Sequence, residues 1–337
     1  MGATDISVVL STYNGERYLE EQVESILNQT LQPLEVIIAD DGSSDGTLLI
    51  AQDLANRVPG IIHVSRNPER LGFSSNFLQA CERARGSHIA FSDQDDRWLP
   101  HKLEAQLQAL SDRGAVLCAH QVSHIDACGQ PRDAPGRRFN SSYVVTPRSA
   151  SPWGNFLGFT MLFDRKLLDR LPSRERGLDP HSLGAELSHD RWVYFLASIT
   201  GDMVILADEL AEYRQHNGQL YGGLNERSLA ERIATKARSG RDQALYLSGV
   251  ATHRAELITR LSDADSEVMT EQLQRWRSVS DHYARSAAIY ERASMIGRLA
   301  EFGKNLGQGT YRSPRRHGLG LRKLVEDGGV ALLVRSD

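Results

Sequence analysis

His88-Ile89-Ala90-Phe91-Ser92-Asp93-Gln94-Asp95-Asp96-Arg97-Trp98 runs from an apolar, strand-like segment straight into three carboxylates within four positions. The end of a strand is where an α/β sheet presents groups to a ligand crevice. Acids this close repel one another and favour a cation. Hard oxygen donors at this spacing suit Mg²⁺ or Mn²⁺, and such an ion suits a diphosphate. Taken alone, the stretch reads equally as an acidic turn that caps a helix starting near Trp98, because Asp is common at N-caps. The flanking sequence decides between the two.

Upstream, Ile6-Ser7-Val8-Val9-Leu10 is β-rich and ends at Ser11-Thr12-Tyr13-Asn14-Gly15, where Asn-Gly marks a turn. Leu19, Val23, Ile26 and Leu27 then have helical spacing. Leu34 to Ala39 forms a second apolar segment, ending at Asp40-Asp41-Gly42-Ser43-Ser44-Asp45-Gly46-Thr47, after which Leu48, Ile50, Ala51 and Leu54 predict a helix. Strands at 61–65 and 88–92, and helices at 76–84 and 98–110, complete a β-α alternation with short connections. This predicts an α/β fold with a doubly wound, mostly parallel sheet and right-handed crossovers. Its strand ends carry Asn14, Asp40-Asp41 and Asp93-Gln94-Asp95-Asp96, so three separate polar clusters converge on one edge. An acidic turn with only a capping role does not predict that convergence.

Downstream the alternation loosens. Val116 to His120 and Met203 to Leu206 are strand-like, 126–150 is a Pro, Gly and Ser-containing loop, 154–163 is apolar, and His189-Asp190-Arg191-Trp192 opens a helical run. The sequence beyond about residue 226 reads as helices. There Leu273, Trp276, Ser280, Tyr283, Ala287 and Tyr290 recur by three and four, a stripe for core packing or for a homodimer seam. The expected division is 1–225 as the catalytic domain and 226–337 as a helical C-terminal extension serving acceptor, membrane-surface or dimer contacts.

The 337 residues are 40% hydrophobic and 24% charged, an ordinary globular profile. No apolar run is long enough to span a bilayer, and the N-terminus lacks a basic region followed by an apolar one, so a cytoplasmic protein is expected. Three cysteines without CxxC spacing fit a reducing compartment and argue against structural zinc. Residues 1–225 hold 20 Lys and Arg against 29 Asp and Glu, which argues against a nucleic-acid partner. Residues 226–337 hold 19 against 14, with the basic excess concentrated at 298–323. That patch reads as a solvated tail, or as a peripheral contact with an anionic membrane or a phosphorylated acceptor.

The first βα turn has neither G-x-G-x-x-G nor a P-loop, so the sheet does not grip phosphates by backbone alone. A metal held by carboxylates is the remaining common solution. Here the chain resembles the family 2 glycosyltransferases of GT-A fold. The resemblance rests on Ser11-Thr12-Tyr13-Asn14-Gly15, Ser25-Ile26-Leu27-Asn28-Gln29-Thr30, the 40–47 segment and Phe91-Ser92-Asp93-Gln94-Asp95-Asp96, in matching order and spacing. Tyr13-Asn14-Gly15, Ser92 to Trp98, His189 to Trp192 and Tyr213-Arg214-Gln215-His216 are most similar to the bacterial rhamnosyltransferase-like branch. The likeness covers about 5–222 and is loose in the tail.

The resemblance implies a role for each matching residue. Thr12, Tyr13, Asn14, Asp40 and Asp41 would line the nucleotide, with Asp40 accepting the N3–H of uracil or thymine. Asp41 and Asp45 would steady their loop, or in Asp45's case cap the next helix. Asp95 would ligate Mg²⁺ or Mn²⁺ directly. Asp93 would sit nearer the ribose or the metal's water shell. Arg214 would pair the diphosphate, its fork matching phosphate geometry. His216 is either the ligand that completes the metal site or a loop histidine. Asp190 would be the general base, the alternative being a helix N-cap, and Arg191 departs from the aromatic usual after it. Trp98 and Trp153 read as core residues or as sugar-stacking platforms. The implied activity is inverting transfer of a sugar, such as L-rhamnose from dTDP-rhamnose or another dTDP or UDP sugar, to a saccharide or lipid-linked acceptor. The rival reading is a catalytically decayed nucleotide-sugar or carbohydrate-binding module.

Overall fold

The computed structural model describes residues 5–133, 138–216, 229–261, 266–292, 294–312 and 319–333. The chain divides into two compact units, the first made of Met1–Pro147, Gly154–Ser173 and Ser188–Gly222, the second of Arg148–Trp153, Arg174–Leu187 and Gly223–Asp337. The expected boundary at 225/226 lies outside the described residues.

In the first unit the predicted alternation appears in order. It comprises β1 (Ile6–Thr12), α1 (Leu19–Leu27), β2 (Glu35–Asp40), α2 (Thr47–Arg57), β3 (Ile62–Arg66), α3 (Phe73–Cys81) and β4 (His88–Ser92). Strands β3, β2, β1 and β4 lie side by side and all pair in parallel. Every residue of β1 and β2 is buried, which explains why both read as continuous apolar runs rather than as alternation. With β1 and β2 in register through Thr12 and Asp40, and β1 beside β4, the three polar clusters end on one sheet edge.

The helix expected from Trp98 starts later. Arg97 and Trp98 form a two-residue strand, β5, and the helix is α4 (Lys102–Arg113). Pro100 disfavours helical backbone at Leu99. Trp98 itself is buried in the core, not presented to a sugar. Beyond lie β6 (Leu117–Ile125), β7 (Tyr143–Val145), β8 (Leu162–Asp164), the short α5 (Lys166–Asp169), α6 (His189–Thr200) and β9 (Met203–Arg214). Strand β9 is longer than its apolar start suggested because it follows β6 in parallel as far as Ile125↔Arg214, across a register shift at His120–Val122. It also pairs antiparallel with β5, Arg97 opposite Glu212, which carries Tyr213 and Arg214 to the acidic turn. Strand β8 enters antiparallel between β4 and β6.

The second unit contains α7 (Leu229–Thr259), α8 (Glu267–Glu291), α9 (Met295–Gly307) and α10 (Gly320–Leu333). The stripe from Leu273 to Tyr290 is consumed within the unit. Trp276 and Ala287 are buried, Ser280 Oγ meets Ser248 Oγ of α7 at 2.9 Å, and Tyr290 donates to Asp327 at 3.1 Å. These contacts account for Trp276, Ser280, Ala287 and Tyr290 of the stripe by packing within the unit. Trp153 likewise packs inside this unit, edge-on to Trp276 and donating to the Tyr283 hydroxyl at 3.1 Å.

Candidate active site

The first strand-end loop is tied to both of its neighbours. Thr12 Oγ1 donates to Gln94 Oε1 at 2.6 Å, and Tyr13 N donates to the same oxygen at 2.9 Å. Asn14 takes a left-handed backbone, φ 49°, its N–H donating to Ser43 Oγ and its side-chain oxygen accepting from Ser44 N, each at 2.9 Å. Gly15 N donates to Thr47 Oγ1 at 2.8 Å. A Cβ at Gly15 would sit 2.2 Å from Gln94 Oε1, so this close approach requires glycine. The Arg70 guanidinium covers the Tyr13 ring at 3.8 Å.

Asp40 and Asp41 are both buried and already occupied. Asp40 accepts from Ser43 N at 3.1 Å and from Ser43 Oγ, with Arg66 Nε 3.6 Å away. Asp41 accepts from Asn67 Nδ2 at 2.9 Å and from Leu71 N and Gly72 N at 2.8 Å each. Asp45 accepts from Thr47 N at 3.1 Å just ahead of α2, which holds its carboxyl below the usual range although partial burial opposes this.

In the acidic turn, Asp93 is pushed up to about 7, first by burial and then by the charges of Asp95 and Asp190. Asp95 Oδ2 lies 2.8 Å from His216 Nε2, and Tyr18 packs against the His216 ring with centroids 5.0 Å apart. Asp96 is fully buried. Its Oδ1 accepts from Arg214 N at 3.0 Å and its Oδ2 has no hydrogen-bond partner. Burial, then Asp95 and Asp93, hold its carboxyl well above the usual range.

Arg214 is buried too. Its Nε donates to the Asp95 carbonyl at 2.7 Å and its Nη2 to Glu21 at 2.7 Å, and its guanidinium lies 4.7 Å from the Tyr18 ring centre. The structure thus places the fork behind the acidic turn, holding it in shape.

Asp190 comes from a distant part of the unit yet is near enough to Asp93 to raise its pKa. Helix α6 begins at His189 with Ser188 in the N-cap position, so Asp190 stands inside the first turn instead of capping it. Its Oδ2 accepts from Asn155 Nδ2 at 2.8 Å; its Oδ1 accepts from Arg191 N at 2.8 Å and from Ser188 Oγ. Beside it His189 stacks on Phe77, centroids 4.0 Å apart, and meets Phe91 edge-on, which pins the start of α6 to α3 and β4.

A cation fits this donor set as a shared site. Asp95 and His216 can both address one ion, and positive charge would relieve the repulsion that raises Asp93. Among the described residues no three His, Cys, Asp or Glu side chains converge closely enough to hold an ion unaided. Mg²⁺ is commonly held by one or two protein groups together with substrate phosphates, and the residues present fit that division.

Several residues escaped the sequence reading. Gln94 and Asn155 are uncharged and carried no chemical signal of their own. Lys102 is fully buried on α4, its Nζ donating to Gln106 at 2.9 Å and lying 3.8 Å from the Trp98 ring centre. Burial brings it down to about 7, with Cys118 and Asp96 opposing. Its place seven positions beyond Asp95 gave no hint of that environment.

Known proteins share sequence and fold with this chain. The family model described as "Glycosyl transferase family 2" matches residues 7–171. A putative teichuronic acid biosynthesis glycosyltransferase, TuaG, of Bacillus subtilis (strain 168) is 37% identical over 128 residues, 38% of this chain and 50% of that protein. An uncharacterized glycosyltransferase of a Nostoc species is 27% identical over 243 residues, 71% of each chain. The chain thus spans half the length of the Bacillus relative. Among solved structures, residues 1–349 of S. aureus TarS in complex with UDP-GlcNAc superpose with a TM-score of 0.52 at 17% identity, covering 91% of this chain and 93% of that one, a likeness of fold. Over residues 7–171, then, the chain is similar to glycosyl transferase family 2.

Proposed function

We propose that this chain is a metal-dependent, inverting glycosyltransferase that draws on a nucleoside-diphosphate sugar, dTDP- or UDP-linked, with dTDP-L-rhamnose as the first donor to test. One observation carries the reading: His189 packs on Phe77 and Phe91, so the start of α6, with Asp190, is held against the end of β4, where the Asp93–Asp96 turn begins. A proton acceptor beside a diphosphate-and-cation site is what glycosyl transfer needs.

In this reading Tyr13 and Asn14, the accessible members of the first loop, contact the nucleoside, while Thr12, Asp40 and Asp41 hold the loop in place. Asp95 and His216 would hold the cation together with donor phosphates, Asp93 would sit nearer the ribose or the ion's water shell, and Arg214 keeps the turn rigid. When bound, the Mg²⁺ or Mn²⁺ neutralises charge on the departing diphosphate. The acceptor hydroxyl oxygen attacks the anomeric carbon from the face opposite the leaving group. The bond from that carbon to the phosphate oxygen breaks, and the hydroxyl proton passes to Asp190. Asn155, Ser188 and Arg191 N aim that carboxylate, and positioning supplies a large share of the rate.

The B. subtilis relative's name supports a saccharide or lipid-linked acceptor in surface polysaccharide assembly. The proposed place of action is the cytoplasmic face of the membrane. Among the described residues no helix is long and apolar enough to cross one.

The test is calorimetric titration of UDP, dTDP, GDP and CDP, each with and without Mn²⁺. Metal-dependent binding of a single diphosphate is expected and identifies the base. Absence of binding by all four would overturn the donor-site assignment and favour a binding role of another kind.

A further inference from the structure

Helices α9 and α10 are built with their polar faces inward. Arg298, Glu301 and Asn305 of α9 are buried, as are Lys323, Glu326 and Asp327 of α10. Asp327 accepts hydrogen bonds from Ser286 at 2.7 Å, Tyr311 at 3.0 Å and Tyr290 at 3.1 Å, which fixes that face of α10 against α8. Asn305 donates to the Arg285 carbonyl at 3.0 Å and does the same for α9. Val330 and Ala331 of α10 stay buried, but much of the apolar surface is turned out: Ile296 is 78% exposed, Leu321 72% and Leu332 58%, with Met295, Leu306 and Val325 close to half exposed.

These residues fall into stripes. Met295, Leu299, Phe302 and Leu306 follow one another by four, three and four on α9, as do Leu321, Val325, Gly328 and Leu332 on α10. The two stripes meet where the Phe302 ring lies against Gly328, 3.2 Å from where a Cβ would stand. They form one apolar ridge. Exposed apolar ground of this kind marks a docking surface.

Charge selects the occupant. Among the described residues of α9, α10 and the turn between them, every acid (Glu301, Glu326, Asp327) is buried, whereas the cations Lys304 and Arg312 are exposed. A second copy docked face to face would set this positive charge against itself, whereas an anionic bilayer complements it. Of the basic excess expected at 298–323, Arg298 and Lys323 are buried. Lys304 and Arg312 are exposed.

We propose that α9 and α10 form an interfacial hairpin that lays its apolar ridge onto an anionic lipid surface, as amphipathic helices do. Binding of this kind needs no turnover, so it stands or falls independently of the transferase reading. The experiment is co-sedimentation of the full chain with vesicles of phosphatidylcholine alone and of phosphatidylcholine with phosphatidylglycerol. The chain is expected to pellet with the anionic vesicles. Ile296→Glu with Leu321→Glu is expected to lower the bound fraction about tenfold while leaving the thermal transition unchanged, because both side chains are exposed. Failure of the unaltered chain to pellet, or equal pelleting of the double variant, would overturn the proposal. A dimer in light scattering that the double variant dissociates would overturn it too, assigning the ridge to a second copy.

Discussion

Gln94 clasps the backbone of Tyr13 with both ends of its amide, accepting from Tyr13 N at 2.9 Å and donating to Tyr13 O at 3.2 Å. A side chain here imitates a strand partner, and it ties the loop after β1 to the acidic turn after β4. Any ligand held by one loop therefore meets the other in a fixed relation.

This clasp makes Gly15 sensitive. Gly15→Ala displaces the Gln94 amide and is expected to cost about 1–3 kcal/mol by urea denaturation. In a Gln94→Ala background the same substitution should be close to neutral, the coupling being read from the double-mutant cycle. Additive effects would mean that the clasp is not the constraint.

Asp190→Asn should lower kcat by about 10²–10⁴ while leaving nucleoside-diphosphate affinity unchanged, the range expected for loss of a general base. Steady-state kinetics paired with calorimetry separates the two quantities. Asn155→Ala, which only frees the carboxylate to turn, should fall short of that loss.

Asp95→Asn and His216→Ala should each weaken the Mn²⁺-dependent part of diphosphate binding by about tenfold or more. Metal-free binding should be little changed. Equal Mn²⁺ stimulation in both variants would place the ion elsewhere.

The pH dependence of stability has a defined sign. Asp93 is raised from an ordinary 3.8 to about 7, so between those values the folded chain retains a proton that the unfolded chain has lost. Its contribution is greatest below about pH 4 and is lost as pH rises through 7. With metal removed by chelation, Asp93→Asn should raise Tm at pH 8 and change it little at pH 4. Scanning calorimetry at the two pH values checks this.

Arg214→Lys keeps the charge but loses the fork that joins the Asp95 carbonyl to Glu21. A loss of about 1–3 kcal/mol is expected, with weaker metal-dependent binding as the turn loosens. Thermal melts with and without Mn²⁺ report both.

Much of the fold was legible because β1 to β4 and their helices follow local rules. Apolar runs of strand length, helical spacing after each and Asn-Gly or Asp-Gly at the turns need only neighbours along the chain. The acidic cluster was legible for the same reason, since charge density is a local property. Trp98 was misplaced because β5 exists only where the far end of β9 offers it an edge, and that edge comes from residues more than a hundred positions later.

The sequence by itself determined the alternating sheet, the edge on which its polar loops collect and the identity of the acids there, because each follows from pattern within a few turns of chain. Only the tertiary structure decided which of those side chains face outward. Asp40, Asp41 and Arg214 proved to be buried, Asp190 proved to stand near Asp93, and α9 and α10 proved to bury Arg298, Glu301, Asn305, Lys323, Glu326 and Asp327. Burial and long-range pairing depend on what the rest of the chain places opposite a residue, and no local pattern encodes that.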